Sequence, residues 1–359
     1  MIYIFLFLII ILLSYLITKT KDKFIRRFLL CISILLPSIL GGLRDISIGT
    51  DTSGYTDFIW NYMNHLNITS DVIFNQLMTE PGFAFFSYIL YEISDNFQFY
   101  LFGITLLITS LFFITGYLLR DKLNYVLFIT VYCFAFYNMS YNMMRQLCTL
   151  GFEALMIAMI IKGKYKSAII PLVLSCLFHS SGIISIAIYV VMYLYDKKNL
   201  STKMTLLIIF VAFLLSFSYN SIVMSLISLG ILDAKFMIYT SASEMFEAKL
   251  PLSEYVLKLY FLFIAISLYR PTNTILAKES LLMGSLTVII SLVSLVVTYA
   301  GRLAYPFFIA SIILSLIQIK GKAKYYTTLL VLLCIAYWSY TIVKSNNNDT
   351  YPYKFYFER

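Results

Sequence analysis

The sequence predicts an all-α fold, a polytopic transmembrane bundle of about 12 spanning helices with one extra re-entrant or interfacial helix at its outer face. Three observations carry that expectation. Of 359 residues 60% are hydrophobic and only 13% charged, with a mean hydropathy of +0.84, whereas charged residues approach about a quarter of a soluble domain. The apolar residues gather into runs of spanning length. The Lys and Arg residues fall in short clusters between those runs, which is how membrane orientation is encoded. The net charge of +9 therefore reads as topology, and a nucleic-acid partner is excluded. The whole chain, 1–359, reads as a single integral membrane domain.

Measured against a hydrocarbon core of about 30 Å, which takes roughly 17 to 25 helical residues, the crossings fall at 2–18, 28–43, 99–119, 123–139, 144–161, 166–178, 181–195, 204–226, 254–270, 280–299, 303–319 and 325–343. The first run lacks a basic n-region and a small-residue cleavage site, so it reads as a retained helix. It is followed by "KTKDKFIRR", whose Lys19, Lys21, Lys23, Arg26 and Arg27 place that loop in the cytoplasm and the N-terminus outside. Alternation then puts "RDK" (120–122), "KGKYK" (162–166), "DKKNLSTK" (196–203), the Arg270–Lys278 loop and "KGKAK" (320–324) inside. This agreement requires that "GFAFFSYILYEIS" (82–94) does not cross. At 13 residues it is short for a span, hence the re-entrant or interfacial assignment.

Outer loops at about 44–98 and 227–253 form the external face. The first begins with "GGLRDISIGTDTSGY" (41–55), and from Asp45 to Glu80 it has no Lys or Arg. Tyr55, Phe58, Ile59, Tyr62 and Leu66 follow one helical face, with Asp51, Thr52 or Ser53 as N-cap, which describes a helix lying on the outer leaflet. The second carries Asp233, Lys235, Glu244, Glu247 and Lys249. The tail "NNNDTYPYKFYFER" is too short to be a domain.

Three more polar motifs reach the same face: "NMMRQL" with Arg145 and Gln146, "FHSSG" with His179, and "GRLAYPF" with Arg302 and Tyr305. Basic residues there run against the positive-inside rule. Each has a plain explanation: arginines snorkelling to headgroups, His179 as an interfacial histidine, Asp51 as an N-cap, Glu80 as loop solvation. Together they point to function, because ionisable groups at a membrane are costly. Arginine forks suit phosphate oxygens, a nearby His or carboxylate can take a proton from a hydroxyl, and acidic, aromatic loops suit sugars. The five cysteines show no CxxC spacing, so neither a metal nor a disulfide is expected, and nothing calls for a cofactor.

The order "R-x-x-x-x-G-T-D-T-x-x-Y" (Arg44 to Tyr55), "EPGF" (Glu80 to Phe83), "NMMRQL" (Asn142 to Leu147) and "FHSSG" (Phe178 to Gly182) resembles the EpsG family, grouped with Wzy-type polymerases of O-antigen, capsule and exopolysaccharide. The resemblance is clearest over 40–195. It implies a multi-pass enzyme of the bacterial inner membrane that joins undecaprenyl-pyrophosphate-linked oligosaccharide repeat units on the periplasmic or external side. A chain-length-regulating co-polymerase and a flippase would be its pathway partners. On that reading Arg145, with Arg44 or Arg302, binds pyrophosphate and His179 is the base. Asp51 and Glu80 are second candidates for the base or sugar ligands, joined at the sugar by Tyr55, Gln146 and Tyr305. A transporter or flippase of lipid-linked glycan, and a single-sugar glycosyltransferase or ligase, are the alternatives. A transporter is expected to place charges at mid-span and to break helices there.

Overall fold

A computed structural model describes residues 1–55, 60, 79–230, 237, 252–269, 274–295, 298–322 and 324–358. The expected outer-leaflet helix, beyond Tyr55, and the acidic and basic residues of the 227–253 loop lie outside the described residues. Within them the chain is helical, with one isolated antiparallel bridge between Arg44 and Phe355. Among the described residues each of the twelve apolar runs is largely helical, but not all are long enough to count as spans. Seven helices are long and apolar enough to cross a bilayer, or eight if the pair Thr202–Phe217 and Tyr219–Ser228, bent by 74°, counts as one span. Shorter apolar helices occupy Tyr125–Tyr137, Tyr165–Phe178 and Tyr255–Ser267. This is a multi-pass membrane protein.

The chain divides into two compact units, residues 1–186 with 327–359 and residues 187–326. In the first, helix α1 (Ile2–Lys19) buries Tyr3, Leu6, Phe7, Ile10, Ser14 and Ile17, a stripe at helical spacing, while Phe5, Leu8 and Leu12 remain exposed as a lipid face needs. Helix α2 (Lys23–Gly42) starts where Asp22 accepts from the Ile25 amide at 2.8 Å, an N-cap. Helix α3 (Pro81–Ile93) is the segment expected not to cross; 13 residues reach only about 20 Å. Helix α4 (Phe97–Leu119) packs between α2 and helix α6 (Met144–Ile161), and α6 packs in turn on helix α7 (Tyr165–Phe178). Between them helix α5 (Tyr125–Val131) runs into a π-helical turn, Tyr132–Tyr137. A 3-10 turn at Ser180–Gly182 leads into helix α8 (Ile183–Lys198), inside which the division of units falls.

The last residues fold back onto this unit. Tyr3 Oη donates to the Thr350 carbonyl at 2.7 Å, Asn138 Nδ2 to Thr350 Oγ1 at 3.1 Å, and Tyr353 Oη to the Leu40 carbonyl at 2.6 Å. The Asp45 amide donates to the Lys354 carbonyl at 2.9 Å, and the Tyr356 amide to the Leu43 carbonyl at 3.0 Å. A tail too short to be a domain is thus a paired part of the fold.

In the second unit, the bent pair α9 (Thr202–Phe217) and α10 (Tyr219–Ser228) is followed by α11 (Leu252–Ser267), α12 (Ile275–Val293) and α13 (Tyr305–Ile319). Hydroxyl pairs join them at depth: Tyr255 Oη lies 2.6 Å from Ser294 Oγ and Ser280 Oγ lies 3.3 Å from Ser315 Oγ. Helix α14 (Lys324–Trp338), which from residue 327 on belongs to the first unit, continues as a π-helical turn to Lys344.

Candidate active site

The polar centre of the first unit is built where the starts of α3 and α6 meet the turn after α7. Pro81 opens α3, a position where its missing N–H costs nothing. Gly82 then lies so close to the end of α7 that an added Cβ would fall 2.8 Å from the Leu177 carbonyl oxygen. That approach carries Glu80 to the 179–182 turn, where its Oε1 accepts from the Ser180 amide at 3.1 Å. The other oxygen, Oε2, accepts from Arg145 Nη1 at 2.7 Å.

Arg145 is the second residue of α6. A cation there opposes the helix dipole, and Glu80 compensates it. Arg145 Nη1 also donates to Thr79 Oγ1 at 3.2 Å, and Nε to Tyr55 Oη at 3.3 Å. The guanidinium is therefore fixed on three sides, yet its side chain keeps 34% of its surface exposed. Tyr55 stands against Phe83, ring centres 5.8 Å apart. Burial raises its phenol above the ordinary range, against the opposing effect of Arg145, so it stays a neutral donor or acceptor. For Glu80, burial pushes the carboxyl up, but Arg145, His179 and backbone amides together outweigh it and hold it below the usual carboxylate range.

His179 sits in the same turn with a defined ring orientation. Its Nδ1 accepts from the Ser181 amide at 3.1 Å and lies 2.8 Å from Ser181 Oγ. An amide N–H can only donate, so Nδ1 keeps its lone pair inward and the neutral ring carries its proton on Nε2. The lone pair of the neutral ring is thus engaged within its own turn. That disfavours the expected role of His179 as the base.

The remaining expected ligands divide. Asp51 is exposed, one turn before Tyr55, and acts on that phenol electrostatically. Gln146 is 3% exposed, with no open face for a sugar. Arg44 is not at an open rim: it is 1% exposed, its guanidinium 4.3 Å over the Tyr141 ring and its Nη1 donating to the Gly41 carbonyl. Burial lowers its pKa, while the phenols of Tyr141, Tyr137, Tyr353 and Tyr3 oppose that shift. It meets no phosphate while the C-terminal residues lie over it. Arg302 and Tyr305 belong to the second unit, where Tyr305 is 4% exposed and its ring lies 4.9 Å from Lys258 Nζ.

Three features escaped the sequence reading. Thr79 joins Glu80 at Arg145. The C-terminal residues complete the unit. Glu153 is fully buried in α6, with Oε2 accepting from Ser185 Oγ at 2.8 Å and Oε1 without a hydrogen-bond partner. Its signal was plain, an acid in the middle of the apolar run 144–161, and it shows that ionisable groups are not confined to the loops.

No match was found among curated proteins or solved structures. A family model does match. It covers residues 27–355, taking in Arg44, Tyr55, Glu80, Arg145 and His179 together with the returning C-terminal residues, and by that coverage of nearly the whole chain the protein belongs to the EpsG family, of the Wzy-like polymerase type.

Proposed function

We propose that this protein is a polysaccharide polymerase that joins undecaprenyl-pyrophosphate-linked oligosaccharides at the outer face of the bacterial inner membrane, within a bundle of twelve crossings. The observation that carries the reading is the Arg145 fork: oriented by Glu80, Thr79 and Tyr55, open over a third of its surface, and set on the first turn of α6, whose positive end also favours an anion. In the reaction the acceptor sugar's hydroxyl oxygen bonds to the anomeric carbon of the donor. The bond from that carbon to pyrophosphate breaks, the pyrophosphate keeps the electron pair, and Arg145 stabilises the charge that develops. The proton of the hydroxyl goes to a base. Asp51 is the better candidate, since both Glu80 oxygens already accept hydrogen bonds and that carboxyl is held acidic. His179, through Nε2–H, donates to a sugar or phosphate oxygen.

A second reading, a transporter of lipid-linked glycan, is favoured by Glu153 at mid-helix and by the 74° break between α9 and α10. One gel separates the two. Cells without the protein are expected to carry glycan of a single repeat; loss of all such glycan would favour the transporter and overturn the polymerase.

A further inference from the structure

Two segments deliver the Arg145 centre: residues 43–55, which end at Tyr55, and residues 138–144, which lead into α6. They approach each other at Thr52, whose Oγ1 donates to the Ile48 carbonyl at 2.8 Å and lies 3.4 Å from the Tyr141 carbonyl. Both are held from outside by the returning C-terminal residues. The Gly49 amide donates to the Asp349 carbonyl at 2.9 Å, six residues before Tyr55. Asn142 Nδ2 donates to the Asn348 carbonyl at 3.1 Å, three residues before Arg145. One turn earlier Asn138 is clamped twice, Nδ2 donating to Thr350 Oγ1 and Oδ1 accepting from Trp338 Nε1 at 2.9 Å. Gly49 adopts φ +97 with Asn142 Oδ1 and Thr52 Oγ1 each 2.8 Å from where a Cβ would stand, so the first segment has little room to shift against the second. Beneath them the Arg44 cation is enclosed by aromatic rings that include Tyr141 and, from the C-terminal residues, Tyr353.

We infer that residues 346–356 are a positioning strap for the Arg145 centre. The strap ties the two lead-in segments to one another and so sets the approach of Tyr55 to the guanidinium, without touching substrate itself. It rests on Arg145 being the heart of the site, and its partner is the chain's own segment rather than a separate protein. The contacts are chiefly to strap carbonyls, which any residue supplies, so the side chains that matter are few: the hydroxyls of Thr350 and Tyr353.

The test uses the full chain in detergent or nanodiscs and reads Arg145 directly, as its rate of modification by phenylglyoxal followed by mass spectrometry, with Arg120 as internal control. Thr350→Val combined with Tyr353→Phe removes two strap bonds distant from Arg145. The expected result is faster modification of Arg145 by about fivefold per lost bond, the equilibrium equivalent of one hydrogen bond, with Arg120 unchanged and with long-chain product reduced. An unchanged Arg145 rate, or equal acceleration at Arg120, would make the strap ordinary packing and overturn the inference. In a background freed of its natural cysteines, Leu43→Cys with Tyr356→Cys allows a disulfide across the paired backbones. Oxidation is expected to leave Arg145 modification and glycan product intact; loss on oxidation with recovery on reduction would mean that the strap must open, and the positioning role would fall. If Arg145 responds as expected but the unaltered protein makes no long glycan, the polymerase reading fails while the strap stands.

Discussion

At the scale of single residues the arguments turn on Arg145 and His179. If Arg145 neutralises charge developing on pyrophosphate, Arg145→Ala is expected to lower the polymerisation rate by roughly 100- to 1000-fold. Arg145→Lys should restore little, because a point charge cannot span Glu80, Thr79 and Tyr55 as the fork does. Turnover of purified protein at equal membrane level measures this, and full activity in either variant would make Arg145 a helix anchor only. His179 gives a different kind of result. Since its Nδ1 caps the Ser180–Gly182 turn, His179→Asn, which places an acceptor near the Nδ1 position, should keep the fold and lose only the Nε2 donor. His179→Ala should also lose the cap, worth about 1 kcal/mol of stability. The acid limb of the pH–rate profile is expected to survive in His179→Asn; its disappearance would return the histidine to the role of base.

The elements explain why these side chains meet at all. Helix α3 is held against the end of α7 by a contact that only glycine permits at position 82. Gly82→Ala is therefore expected to push the two helices apart, cost about 1 to 3 kcal/mol, and weaken the bond from the Ser180 amide to Glu80, seen as a lower melting temperature together with lower activity. Glu80 also makes the junction sensitive to acid. Its folded pKa lies below the unfolded value of about 4.3, so the stability it contributes is fully present above that unfolded value and is lost as pH falls through the lower folded one. Melting curves of the normal chain and of Glu80→Gln should accordingly differ at neutral pH and converge in acid. Curves that stay parallel down to strongly acid pH would show that the Arg145–Glu80 pair adds nothing, as partly exposed ion pairs often do.

On the scale of the whole molecule orientation is tested by single cysteines, in a cysteine-free background, with a membrane-impermeant reagent. Position 180, beside the proposed site, is expected to label from outside and position 164 only from inside; the reverse pattern would overturn both the topology and the site. The helices were legible in the sequence because the bilayer imposes one local rule, that a run of apolar residues must close its own backbone hydrogen bonds. Hence the twelve runs are largely helical among the described residues, and so is the thirteenth apolar segment, Pro81–Ile93, expected not to cross. The family was legible for a similar reason: "EPGF", "NMMRQL" and "FHSSG" keep their order whatever the packing. Which polar groups pair was not legible. Arg44 and Arg145 look alike in sequence, yet one is enclosed by tyrosines and the other is held open by Glu80. The difference rests on contacts between residues far apart in the chain, such as Tyr353 with Leu40 and Ser180 with Glu80. Composition and periodicity determine which segments become helices in lipid; burial and charge pairing are properties of neighbours in space, and only the tertiary structure decided those.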